Sequence, residues 1–95
     1  MSIWVCGEVL IDLLPGEPER IAVVGGGPAN TAKALSRLGH DVQFIDGISS
    51  DAYGKSARAE LVRDGVGLDL ALNSDLPTCT ATVSLSSDGS ASYEF

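Results

Sequence analysis

The chain has 95 residues, which allows one domain with a small core, and 44% of them are hydrophobic. Six Lys and Arg stand against 13 Asp and Glu, a formal net charge of −7. That balance argues against nucleic acid and anionic membranes as partners, both of which require a basic face.

From the amino terminus, Met1-Ser2-Ile3-Trp4-Val5-Cys6-Gly7-Glu8 lacks a basic region and carries an early acid, so it does not read as a signal peptide. The longest apolar runs are too short to span a bilayer. A cytoplasmic protein is expected, with Cys6 and Cys79 as two buried thiols, far apart and without metal-ligand spacing.

Ile3 to Cys6 is a short strand, continued by Val9 to Leu14 up to the turn at Pro15-Gly16. Ile21 to Val24 is a second short strand, broken by Gly25-Gly26-Gly27. Pro28 to Leu38 predicts a helix, with proline in its first turn and Ala29, Ala32, Leu35 and Leu38 on one broad face. Gly39 supplies its stop, and the lone His40 reads as a surface residue. Val42 to Ile45 is the next strand.

A second helix is predicted over about 52–63, with Asp51 as N-cap and Gly65 as stop, although Gly54 weakens its first turn. Val66 to Leu72 reads as a strand. Thr78 to Leu85 and Ala91 to Phe95 form a hairpin across Ser87-Asp88-Gly89. Strands alternating with helices predict an α/β fold with a Rossmann-like parallel sheet, and the terminal hairpin is expected as an antiparallel appendage on its edge. The strand pattern is still running at Tyr93-Glu94-Phe95, which predicts a fragment of a longer chain.

The chemistry concentrates in Gly25-Gly26-Gly27-Pro28-Ala29-Asn30. Glycines let a backbone approach a ligand, and the helix that starts here aims N–H groups at it. Asn30 offers a donor and an acceptor together, which suits hydroxyl groups. Two functional readings and a ligand-free turn are open on these residues alone. One is a dinucleotide site, with Asp46 at the spacing of a ribose ligand, but Asn30 stands where the third glycine of G-x-G-x-x-G belongs.

The other reading gains from the surroundings. Gly7-Glu8-Val9-Leu10-Ile11-Asp12 precedes the glycines, and Asn30-Thr31-Ala32, Phe44-Ile45-Asp46-Gly47-Ile48, Asp51-Ala52-Tyr53-Gly54 and Pro77-Thr78 follow in order. With these motifs the chain resembles the ribokinase-like (PfkB) carbohydrate kinases, most closely the fructokinase branch, along its length from Gly7 to Phe95. The resemblance implies a sugar site in which Asp12 accepts from hydroxyls, Gly25 and Gly26 bring backbone N–H groups close, and Asn30 fixes a further hydroxyl. It implies lid strands at about 9–24 and 77–95 that close over the sugar, with Tyr93 and Phe95 either facing the site or packing an ordinary edge.

The same resemblance places ATP, Mg²⁺ and the catalytic base in a carboxy-terminal half. Its G-A-G-D motif occurs nowhere in these 95 residues, so no catalytic residue is assigned here. Two positions depart from the pattern. Ser49 stands where glycine is common, and Gly27 where some ribokinases have lysine.

The expected parent is an ATP-dependent kinase of a sugar's primary hydroxyl, fructose leading. The hairpin edge is a candidate homodimer surface. A dinucleotide module and a non-catalytic sugar-binding or dimerisation domain are the alternatives.

Overall fold

The computed structural model describes residues 1–95 as eight strands and two helices. β1 (Ile3–Cys6) pairs in parallel with β4 (Val42–Ile45), and α1 (Gly27–Arg37) packs against both. This is one βαβ unit. Between its first strand and its helix, the chain inserts a hairpin of β2 (Leu10–Leu14) and β3 (Ile21–Gly25).

β4 bends at Asp46 and resumes as β5 (Gly47–Ser49), which pairs in parallel with β6 (Leu72–Ser74). α2 (Ala52–Arg63) connects those two. The strand expected over Val66 to Leu72 is shorter and displaced. Gly67 makes a single bridge to Gln43, and a turn at Asp69-Leu70, closed by Ala71 N–H donating to the Leu68 carbonyl at 3.1 Å, postpones the strand to Leu72.

The second hairpin, β7 (Thr80–Leu85) and β8 (Ala91–Glu94), does not extend the edge of the parallel sheet, as the sequence pattern led us to expect. β7 pairs in parallel with β2, so the two hairpins merge into a separate four-stranded sheet of order β3-β2-β7-β8.

The core lies between the parallel strands and the two helices. Val9, Ala29, Ala32, Val42, Phe44, Ile48, Ala57, Leu61 and Val66 form one buried cluster. The alanines let the helices approach the strands closely, while Phe44, fully buried, fills the centre. Lys33 Nζ to Glu60 at 2.5 Å and Arg37 to Asp64 at 2.8 Å tie α1 to α2.

The first turn of α2 answers the weakness read at Gly54. Asp51 caps the helix by accepting from Gly54 N–H at 2.7 Å. A Cβ at position 54 would run into the Ser49 backbone carbonyl, so glycine is what lets strand and helix lie this close.

Candidate functional site

β2 carries Asp12 between buried Ile11 and half-buried Leu13. Side chains alternate along a strand, so Leu10, Asp12 and Leu14 share one face of the hairpin sheet and Ile11 and Leu13 the other. Across that sheet Asp12 lies opposite Val23 on β3 and Ala81 on β7. Its carboxylate reaches diagonally to Gly25, where a Cβ would collide with Oδ2. Gly25 is buried and gives the acid its room.

Gly26 starts α1 with φ 102° and no side-chain cap. A Cβ there would lie 2.9 Å from the Glu8 carbonyl oxygen. The amides of Gly26, Gly27 and Ala29 have no backbone acceptor, so the helix presents its first N–H groups unpaired. Asn30 follows within the first turn, exposed, its own N–H donating to the Gly26 carbonyl at 2.9 Å.

The structure thus brings Asp12, Gly25 and Gly26 together and sets Asn30 one turn along the helix that Gly26 begins. The only side-chain oxygens or nitrogens buried without a hydrogen-bond partner are Gln43 Oε1 and Asp64 Oδ2. Asp12 forms no bond within the chain, so its oxygens stay open to a ligand. By register Tyr93 lies opposite Val83, on the same face of the sheet as Asp12. Its ring stacks on Phe95 at 6.5 Å, and both are exposed.

A cavity of about 220 Å³ opens elsewhere, lined by residues including Glu8, Asp46, Ser49, Thr78 and Cys79. None of the four predicted sugar ligands borders it. Asp46 is engaged structurally, its Oδ2 accepting the Val9 N–H at 3.3 Å.

The dinucleotide pattern does not assemble. Its glycine turn must lie between two neighbouring parallel strands. Here β3 and β4 belong to different sheets, because β1, and not β3, is the parallel partner of β4.

Cys6 and Cys79 are free and exposed, contrary to the expectation of buried thiols. Cys6 ends β1, and Cys79 sits in the connection before β7. His40 is exposed, as read from its place after a helix stop. No group of three or more His, Cys, Asp or Glu side chains converges to hold a metal ion. No helix is long and apolar enough to cross a membrane.

One carboxylate escaped the sequence reading in its full role. Asp51, read as a helix cap, also accepts from Thr78 N–H at 2.8 Å and from Thr78 Oγ1–H at 2.6 Å. The Thr78 hydroxyl and amide, with the Gly54 amide, hold its carboxyl down at about 2. The Pro77-Thr78 pair was visible as a motif, but its partner lies 27 residues away.

A fructokinase from Klebsiella pneumoniae is 37% identical over 96 residues, covering 99% of this chain and 31% of that protein. Among solved structures, fructokinase from Xylella fastidiosa with bound ATP superposes with a TM-score of 0.88 at 34% identity, covering 98% of this chain and 29% of that one. Aminoimidazole riboside kinase from Salmonella enterica, complexed with aminoimidazole riboside and an ATP analogue, gives 0.81 at 26% identity, covering 100% and 31%. The chain therefore spans about a third of the length of the relatives it matches. The model of the pfkB family of carbohydrate kinases matches residues 4–94, nearly every residue described above, and the chain belongs to that family.

Proposed function

We propose that this chain is the sugar-binding amino-terminal portion of an ATP-dependent kinase that phosphorylates a primary hydroxyl, with fructose as its substrate. The observation that carries the reading is Asp12, a carboxylate without an internal partner, lodged against a glycine that exists to make room for it. A carboxylate accepts from two hydroxyls at once, and bonds to a charged acceptor are the strong ones. The unpaired amides at the start of α1 and the Asn30 side chain add donors around the same ligand. Fructose is favoured because relatives at 37% and 34% identity are fructokinases.

ATP and Mg²⁺ are assigned to a part of the protein outside these residues. The phosphoryl transfer is left to that part. The four-stranded sheet serves as the lid over the sugar, limiting access of water, and its outer edge is the surface offered to a second copy. A cytoplasmic location fits a kinase that draws on ATP.

The test is the full-length protein assayed for ATP-dependent phosphorylation of fructose, with Asp12→Asn beside it. The variant should lose roughly 100-fold or more in kcat/KM, the size expected from two hydrogen bonds to a charged group, while its Tm stays near that of the parent. Equal kcat/KM in parent and variant would remove Asp12 from the site.

A further inference from the structure

The four-stranded sheet joins the α/β body through three connections, and they are built differently. β1 passes to β2 through Gly7, at φ 152°, and β3 passes to α1 through Gly26, at φ 102°. The third, from β6 to β7, spans residues 75–79 without a glycine. It holds Pro77, and Thr78 next to it is gripped by the Asp51 carboxylate through both backbone and hydroxyl.

That carboxylate also accepts the Gly54 amide, so one side chain binds the start of α2 and the entry to β7 together. Asp51 N–H in turn donates to Ser49 Oγ at 3.1 Å, which fixes the carboxylate's own backbone to β5. Two residues beyond Thr78, Thr80 begins β7 opposite Ile11, and Ala81 lies opposite Asp12. The strand that carries Asp12 is therefore bounded on one side by a strand whose root Asp51 holds.

We propose that Asp51 is a positioning residue: through Thr78 it roots the lid sheet on the α/β body and so sets where Asp12 stands relative to the amino terminus of α1. The two glycine connections are the ones that flex when the lid moves, and the third is its pivot. This inference rests on the sugar-kinase reading for its kinetic consequence, but not for its mechanical one.

Two variants of the full-length protein separate the clamp from helix capping. Thr78→Val removes the hydroxyl bond and leaves Gly54 capped. Asp51→Ser keeps a good N-cap but is too short to hold Thr78.

Thr78→Val should raise the KM for fructose about tenfold, the effect of one lost hydrogen bond to a charged group, and Asp51→Ser, which loses two, at least as much, both with kcat within roughly twofold. Both should increase ATP hydrolysis without sugar relative to phosphorylation. Thr78→Ser should restore parental values. Amide hydrogen exchange should accelerate across residues 80–85 and stay unchanged across 52–63.

A lower Tm with unchanged KM and unchanged exchange over 80–85 would overturn the pivot and leave Asp51 a helix cap. A parent protein that phosphorylates no fructose would sink the fructokinase reading alone. The exchange data would then still decide the clamp, acceleration over 80–85 supporting it and its absence refuting it.

Discussion

Asp12 and Gly25 are a pair that neither residue defines by itself. An acid on a short strand directly after buried Leu10 and Ile11 costs stability unless water or a ligand reaches it, and the missing side chain at Gly25 keeps that access open. Gly25→Ala would push a methyl group into the carboxylate. A misplacement of about 1 Å in a binding group can cost on the order of 100-fold, so the KM for fructose should rise by up to that factor in steady-state assays of the full-length protein. At Gly27, by contrast, a Cβ meets nothing within 4 Å, so a side chain there should fit without a clash.

At the scale of elements, α2 shows how a local propensity yields to a tertiary demand. Glycine in a helix is unfavourable by roughly 1 kcal/mol against alanine, yet Gly54 occupies the first turn because Ser49 lies against it. Gly54→Ala should therefore destabilise the protein, where propensity alone predicts the opposite, by roughly 1–3 kcal/mol of overpacking. Chemical denaturation of the two proteins measures it, and a gain in stability would show that β5 can yield. The two hairpins make the same point with topology. The second was legible from its turn residues and alternation, whereas β2, read as a continuation of β1, pairs instead with β3 and β7, and the β2–β7 pairing joins residues 11 and 80, a separation no local pattern records.

For the whole molecule, the scale of the core decides. Only 16 of 95 residues are buried, and a core this small leaves a thin stability margin. Phe44 is its largest fully buried side chain. Phe44→Ala should cost about 3–5 kcal/mol, enough to unfold most of the 95-residue chain expressed by itself, as a far-ultraviolet circular dichroism melt would show. Trp4, Leu72 and Leu76 remain well exposed, at 64%, 70% and 74%. Trp4 shares its face of the sheet with Gln43, whose Oε1 is buried without a partner. Parallel sheets are ordinarily covered on both faces, and here α1 and α2 pack on the face that carries Val42 and Phe44.

The sequence by itself determined the two helices, the terminal hairpin and most of the strand segments. Apolar periodicity located both helices, the Asp51 cap and Gly65 stop bounded the second, and the glycine-rich stretch with Asn30 drew attention to the turn where the site is proposed. These are short-range properties, set by spacing along a few residues. Tertiary structure alone decided which strand partners which. It placed β3 away from β4 and so dissolved the dinucleotide pattern, moved the strand expected at Val66 on to Leu72, and left Cys6 and Cys79 at the surface. It also closed the bond between Asp51 and Thr78. The reason is common to all of these: pairing and burial depend on contacts between distant residues, whose free energy no local window of sequence contains.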